Sequence, residues 1–455
     1  MKIIIVGGGK VGYTLAKQLT TENHDITLID NDAEVLSHAD ETLDIMCIRG
    51  NGASVEILKE ANISEADLLI AVTDSDELNM ICCVIGKKLG AQHTIARIRN
   101  TDYSNEHKML KQELELDMVI NPEMDAAAEI SRMVQFPSAT DDVETFANNM
   151  LEMVEFRVLE TDPIIDVKLM DLTKILPSKV LFCAVRRDDE ISIPKGSYTF
   201  KENDIVHVIG ERKDIYKFFN YLGRSTHKIK NVTIIGGSRI AIYLTWLLDE
   251  MGIHTKIIEL NKDRCILLSE ILPNALIICG DGTDQEVLDN ENIESADATI
   301  ALTDMDEENL ISSLYAMQCG VQKVILKINR HNYIPIVKNL GLDSVVSPKL
   351  TTANSILRYV RALDNSQGIA VEKLYKILDD EAEVAEFTVK YSSDITNIKL
   401  KNLNLKKDVL IAALVRNKKI IIPFGDDVIK EGDKVIVVTK TGFITDLSEI
   451  LENKN

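Results

Sequence analysis

Six consecutive residues carry the clearest chemical purpose: Gly7-Gly8-Gly9-Lys10-Val11-Gly12, directly after the aliphatic run Ile3–Val6. A Gly-x-Gly-x-x-Gly spacing answers three demands of a pyrophosphate. Gly7 makes a tight turn, Gly9 brings no Cβ against the phosphates, and Gly12 lets the following helix pack closely on the strand. The helix start then offers free N–H groups and the positive end of a dipole. Asp30 closes the next aliphatic run, near the roughly 20-residue spacing expected of a carboxylate that accepts ribose hydroxyls. The context favours nucleotide binding over an ordinary glycine-rich turn. A carboxylate at Asp30 repels a 2′-phosphate, and Asn31-Asp32 bring no cation to offset it, so NADP is disfavoured. NAD, NADH, ATP and ADP all present a free adenosine ribose, and the motif does not separate them.

Two further positions could face the same ligand. Thr73-Asp74 closes the aliphatic run Leu68–Val72, at the carboxyl edge where open α/β sheets bind ligands. Asp74-x-x-Glu77 equally spells a helix-capping box, and both readings stand. The acidic run Asp74–Glu77 lacks the glycine and terminal glutamate of a calcium loop. Arg97, within Ile95-Ala96-Arg97-Ile98-Arg99, could grip a phosphate with two N–H groups or stand as a solvated edge arginine.

The whole set occurs twice. Gly236-Gly237-Ser238-Arg239-Ile240-Ala241 repeats the glycine loop 229 positions later, from 7 to 236. Thr73-Asp74 through Asn79 returns as Thr303-Asp304 through Asn309, and Pro194-Lys195-Gly196 as Pro423-Phe424-Gly425. Solenoid repeats run about 20–50 residues, so a period this long means a duplicated pair of domains. The second loop is altered. Ser238 replaces Gly9 and points a Cβ toward the pyrophosphate, while Ala241 replaces Gly12, where alanine is tolerated. Glu259 keeps an acid at the Asp30 position and Lys327 stands where Arg97 stood. The second site is expected to be weaker or differently selective.

The elements that must position these residues follow from the pattern. Short aliphatic runs at Ile3–Val6, Ile26–Ile29, Ile45–Ile48, Leu68–Val72, Ile95–Ile98 and Met118–Ile120 alternate with amphipathic stretches such as Val11–Leu19 and Leu78–Leu89. Continuous aliphatic strands separated by helices predict a doubly wound parallel sheet, covered on both faces. The next segment differs: Val154–Leu159, Val180–Val185, Ile191–Ile193 and Ile205–Ile209 are short strands, divided by turn signals at Asp188-Asp189 and Lys195-Gly196. A terminal helix, Ile215–Leu222, completes a small α+β module. The expected fold is therefore α/β: two Rossmann-like units, each followed by a small α+β unit, over residues 1–136, 140–223, 230–361 and 372–455. Ser138–Asn149, Arg224–Lys230 and Asp364–Glu383 read as linkers.

Composition narrows the function. A net charge of −21 opposes nucleic acid and anionic lipid. No apolar run approaches the roughly 18 residues of a membrane span, and Gly7–Gly9 cuts the first apolar run too short for a signal sequence. A cytoplasmic protein without direct membrane insertion is expected. Seven cysteines without Cys-x-x-Cys, and eight scattered histidines without His-x-x-x-His, make neither a disulfide framework nor a metal site. Tyr13-x-x-x-Lys17 spells the pair of short-chain dehydrogenases, but it lies on the first helix, where those enzymes do not carry it. With no nucleophile elbow or histidine–carboxylate signature, no catalytic residue is assigned. An NAD-dependent oxidoreductase with a duplicated cofactor domain is the rival class.

Taken together, the glycine loop, Asp30, Thr73-Asp74-x-Asp-Glu-x-Asn79 and Ile95–Arg99 resemble the TrkA-N, or RCK (regulator of potassium conductance), domain. The modules with Pro194-x-Gly196 and Pro423-x-Gly425 resemble the TrkA-C domain. Two such pairs in one chain resemble the family of Trk-system potassium uptake proteins, over nearly the whole length. The resemblance implies a cytoplasmic regulatory subunit, held peripherally to the membrane by a TrkH/TrkG-like potassium channel. It further implies a homo-oligomer, a tetramer forming a ring of eight RCK units, that binds NAD(H), or ATP and ADP in the same sites. Carried over by position, the nucleotide contacts are Gly7 to Val11, Asp30, Thr73, Asp74 and Arg97. In the second copy they are Gly236 to Ile240, Glu259, Thr303, Asp304 and Lys327.

Overall fold

A computed structural model describes residues 1–100, 103, 107–136, 143–148, 150–188, 190–224, 228–364, 371–378, 381–391, 393–440, 444 and 446–452. Its first sheet holds six parallel strands: β1 (Lys2–Val6), β2 (Asp25–Asp30), β3 (Met46–Arg49), β4 (Leu68–Ala71), β5 (His93–Arg97) and β6 (Met118–Ile120). Their spatial order is β3-β2-β1-β4-β5-β6, so the direction of winding reverses between β1 and β4. That reversal leaves a crevice at the carboxyl ends of the two strands. β4 is buried along its whole length because helices cover both faces, which is why it reads as an unbroken apolar run.

An antiparallel sheet follows, made of β7 (Val143–Phe146), β8 (Leu151–Arg157), β9 (Val180–Arg187), β10 (Glu190–Ser192) and β11 (Ile205–Gly210) in the order β10-β9-β11-β8-β7. The helix Arg212–Tyr221 closes this unit and seats Ile215, Phe218 and Phe219 in its core. The second half repeats the plan. β12 (Asn231–Ile235), β13 (His254–Glu259), β14 (Leu276–Cys279), β15 (Ala298–Ala301), β16 (Lys323–Lys327) and β17 (Ser344–Val346) form the second parallel sheet, in the order β14-β13-β12-β15-β16-β17. β18 (Val371–Ile377), β19 (Ala382–Thr388), β20 (Val409–Arg416), β21 (Lys419–Ile421) and β22 (Lys434–Thr439) form the last sheet.

Three expectations need correction. The stretches read as linkers at Ser138–Asn149 and Asp364–Glu383 contain strands β7 and β18, and β19 begins inside the second. Glu144, Thr145 and Lys373 are half-buried between modules rather than solvated: the Lys373 ammonium donates to Thr145 O at 3.2 Å, and desolvation pushes the Glu144 carboxyl above its ordinary value. Residues 138–142, 149, 365–370 and 379–380 of those stretches, residues 225–227 of Arg224–Lys230 and the turn residue Asp189 lie outside the described residues. Finally, among the described residues the second α+β unit has no counterpart of the helix Arg212–Tyr221; the short 3-10 turn Leu447–Ile450 packs into that core instead.

The two Rossmann units exchange their closing helices. The helix Pro122–Gln135, which ends the first, packs Ala126, Ala127, Ile130 and Met133 into the core of the second. Conversely, the helix Pro348–Asp364, which ends the second, packs Ala353, Ile356, Leu357 and Val360 into the core of the first. Each closing helix lies against the partner unit's glycine-loop helix, Arg239–Glu250 or Lys10–Thr21. Arg361 fastens the exchange. Its guanidinium holds Glu22, at the end of the first glycine helix, at 2.5 and 2.9 Å, and Glu383 on β19 at 3.0 Å. Ion pairs this deeply buried are costly to strand. The α+β units also share one core, in which Met153, Ala184 and Ile209 meet Val384, Ala413 and Ile436.

Candidate nucleotide site

The first site is built at the crevice between β1 and β4. β1 ends in Val6, and Gly7 turns with a φ of +101°, a conformation glycine adopts without strain. A Cβ there would sit 2.9 Å from Thr73 N, so the glycine also lets the β4 edge come close. Gly8 N donates to the Asp30 carboxylate at 2.6 Å, and Asp32 N donates to its other oxygen at 2.9 Å. Asp30 thus braces the loop and stands at the end of β2, where a ribose would lie. A Cβ on Gly9 would meet nothing within 4 Å, whereas one on Gly12 would stand 1.8 Å from Gly7 O. The loop therefore closes tightly over its helix and leaves open space above Gly9, the place a phosphate needs. Val11 is buried, so it can offer a ligand only its N–H, while Lys10 is exposed.

The Thr73–Asn79 segment separates into staples and free groups. Asn79 is fully buried: its Oδ1 accepts from Thr73 N at 2.8 Å and from the Thr73 hydroxyl at 2.7 Å, and its Nδ2 donates to Arg97 O at 2.9 Å. Asp76 accepts from Arg99 N and Asn100 N at 2.9 and 2.8 Å. These two residues fix the end of β5 against the end of β4. Asp74 is fully exposed and does not cap the following helix; Ser75 does, its hydroxyl accepting from Leu78 N. Arg97 lies largely buried, 3.8 Å from Asp74, with its Nε enclosed and unpartnered. Burial, followed by the neighbouring Arg99, lowers its pKa from the ordinary value. A half-satisfied guanidinium at the carboxyl edge, together with open space at a helix start, fits an anionic phosphate group.

Sequence reasoning missed three contributors. Gly50 and Gly52 shape the turn after β3, where Gly50 N donates to Asp30 O at 2.9 Å and a Cβ on Gly52 would strike Val6 at 2.2 Å. The same turn recurs as Gly280 and Gly282, a repeat visible in the sequence. Arg49, paired in register with Asp30, donates from Nε to Asn31 O at 3.3 Å. Asn31-Asp32 bring no cation toward a 2′-phosphate, but the fold brings this one in from β3. Lys349 enters from the second Rossmann unit, within hydrogen-bonding reach of Lys10, and donates to Asn329 O at 3.0 Å. Burial, and next the charge of Lys10, pull Lys349 down to about 8. Nothing local in sequence marks it, because only the helix exchange places it there.

In the second copy Glu259 reproduces the acid's work, accepting from Gly237 N and Asn261 N at 2.7 Å each. Asn309 and Asp306 repeat the staples: Asn309 binds Thr303 N and Lys327 O, and Asp306 binds Asn329 N and Arg330 N. Lys327 is buried and pairs with the exposed Asp304 at 3.0 Å. The loop itself differs. Ser238 caps its own helix, its hydroxyl accepting from Ala241 N at 3.4 Å, whereas Gly9 has no side chain with which to cap the first. Ala241 carries the methyl for which Gly12 has no room. Ile240 is buried, Arg239 is exposed, and Arg264 reaches in from the helix Lys262–Ile271 to Gly237 O at 2.8 Å.

The Tyr13/Lys17 pair takes no part in either site. Tyr13 hydrogen-bonds Thr42 at 3.0 Å and stacks on His38, away from the crevice. Among the described residues, no group of His, Cys, Asp and Glu could hold a metal ion, and no helix is long and apolar enough to cross a membrane.

Comparison with known proteins gives the arrangement a context. The TrkA-N domain family model matches residues 3–122 and 232–348, and the TrkA-C domain model matches 153–223 and 384–451. The chain is 37% identical to a Trk system potassium uptake protein TrkA homolog of Methanosarcina mazei, over 96% of this chain and 97% of that protein. It is 34% identical to the Trk system potassium uptake protein TrkA of Halomonas elongata, over 96% and 95%. Among solved structures, the GsuK channel bound to NAD superposes with a TM-score of 0.63 at 17% identity, covering 97% of this chain and 77% of that one. GsuK bound to ADP gives 0.52 at 15% identity, over 80% and 70%. At such identities these two structures speak to the fold alone.

Proposed function

The chain belongs to the TrkA family of Trk-system potassium uptake proteins, built of tandem TrkA-N and TrkA-C domains, and from that premise we propose that it gates a membrane potassium channel in response to bound nucleotide. Its first glycine loop takes the pyrophosphate of NAD(H), or the phosphates of ATP or ADP, with Asp30 on the ribose and Arg97 on a terminal charge. The second loop, with Glu259 and Lys327, takes the same ligands more weakly. The partner is a TrkH/TrkG-like channel on which the chain sits peripherally from the cytoplasmic side, as a ring of RCK units. It performs no catalysis of its own. In the structural relatives, GsuK is the protein seen with NAD and with ADP.

One observation carries this reading: each glycine-loop helix packs against the closing helix of the other Rossmann unit. Tyr243, on the second glycine helix, accepts from Asn121 Nδ2 at 3.0 Å and donates to Arg99 O at 3.3 Å. Asn121 caps one closing helix, and Lys349 on the other meets Lys10. A phosphate at Lys10 relieves that ammonium pair and so changes how the two units sit together. A ligand moves such an equilibrium only by its differential affinity for the two arrangements; a tenfold preference is worth about 1.4 kcal/mol. The test is potassium flux through vesicles holding the chain and its channel partner, with and without ATP or NADH. A nucleotide-dependent rate that disappears in Gly9→Asp is expected. Unchanged flux, or steady NADH turnover with carbonyl substrates, refutes the proposal.

A further inference from the structure

The second ribose acid has a neighbour that the first lacks. Cys279 ends the edge strand β14, exposed, and pairs in register with Glu259. Cys265 lies buried on the adjoining helix Lys262–Ile271. Their sulfurs converge: Cys265 Sγ donates to Glu259 O at 3.3 Å, Cys279 Sγ reaches the next carbonyl, Leu260 O, at 4.0 Å, and the two thiols are within hydrogen-bonding reach of each other. In the first copy these positions hold Leu36 and Arg49, so the pair belongs to the second copy alone. Of the other five cysteines, Cys47 and Cys319 are half-buried. Cys82, Cys83 and Cys183 are buried, and burial raises each thiol.

We propose that Cys265 and Cys279 form a redox modification site, in which a low-molecular-weight disulfide oxidises them to an intrachain bond at the carboxyl edge of the second Rossmann unit. The exposed Cys279 thiolate attacks the oxidant, forming a mixed disulfide and releasing one thiolate. Cys265 then loses its proton and attacks the Cys279 sulfur, releasing the second. Two protein thiols are oxidised and one small disulfide is reduced to two thiols, so electrons and atoms balance. Burial first, and the Cys279 thiol next, push Cys265 up to about 11, which makes it the resolving partner rather than the attacking one. The bond ties the helix to the edge strand beside Glu259. It needs no nucleotide, so its chemistry stands or falls apart from the functional proposal above.

The experiment treats the reduced full chain with oxidised glutathione, alkylates remaining thiols and maps the peptides by mass spectrometry. A Cys265–Cys279 linked peptide, reversed by dithiothreitol, is the expected product. In Cys279→Ser, Cys265 should remain unmodified, and in Cys265→Ser a stable glutathione adduct should accumulate on Cys279. A glutathione adduct that persists on wild-type Cys279, or linkage of Cys279 to any cysteine other than Cys265, overturns the proposal. The Cys265→Ser outcome keeps the test decisive if linkage alone is ambiguous, since loss of resolution there must restore the adduct.

Discussion

The two glycine loops share a strand, a turn and an acid, yet they hold their helix starts differently. In the first, Gly12 presses against Gly7 O and Gly9 faces open space. In the second, Ser238 supplies an internal ligand to its own helix, and Ala241 carries a methyl at the position where Gly12 has no room for one. The scaffold around both is the same: Asn79 and Asn309 clip identical carbonyls, and Asp76 and Asp306 hold identical amides. The contrast teaches that duplication preserved the groups that shape the crevice and varied those that would touch phosphate. A serine at a helix start stabilises the helix with the same amides a phosphate would use, so stability and ligand affinity oppose each other there.

The largest effect should come from breaking what makes the halves one unit. Arg361→Met leaves the buried Glu22 carboxylate without its arginine and removes the arginine from Glu383, and is expected to destabilise the protein by about 3–5 kcal/mol. Chemical denaturation read in both halves should show them losing stability together; loss confined to one half would contradict the exchange of closing helices. Next, Gly12→Ala should cost about 1–3 kcal/mol, because the methyl has no space against Gly7 O. The reverse change in the second copy, Ala241→Gly, should be far milder, and equal thermal shifts would erase the distinction between the loops.

Acidification probes a second asymmetry. His207, buried on β11, is the counterpart of Ile436 on β22; burial, then Arg186 and Lys338, lower its pKa to about 3 from 6.5. Glu155 lies 3.5 Å from Nε2, but desolvation outweighs that attraction and the ring stays neutral. A histidine kept neutral in the fold contributes stability that is present above pH 6.5 and is lost as pH falls toward 3. The slope should reach about 1.4 kcal/mol per pH unit, and His207→Ile should flatten it by that amount in denaturation series at stepped pH. Identical slopes would mean the imidazole is not held neutral. The smallest effect is Ser238→Gly, which should lower stability by only about a few tenths of a kcal/mol while raising nucleotide affinity at the second site. A titration showing no gain would remove the internal-ligand explanation.

Much of this was legible in the residues. The aliphatic runs placed both parallel sheets, and the glycine spacing with Asp30 placed the first crevice, because buried parallel strands and close backbone approaches leave strong local marks. Less legible were β7 and β18, where Glu144 and Lys373 suggested solvent but meet across two modules. Asp74 was mistaken for a possible cap because Ser75, one residue later, carries that role. Lys349, Arg49 and the Cys265–Cys279 pair depend on strand order and helix exchange, so no local pattern announced them. Asn79 and Asp76 appeared in the motif, but only geometry separates staples from groups left free for a ligand.

The central claim, that the first loop is the stronger of two unequal nucleotide sites, is tested most directly by calorimetric titration of the wild type and of Gly9→Asp with NADH and with ATP. The account predicts a tight and a weak binding event in the wild type, with the tight one lost when a carboxylate occupies the space above residue 9. Two equal events in the wild type, or unchanged affinity in the variant, would contradict it.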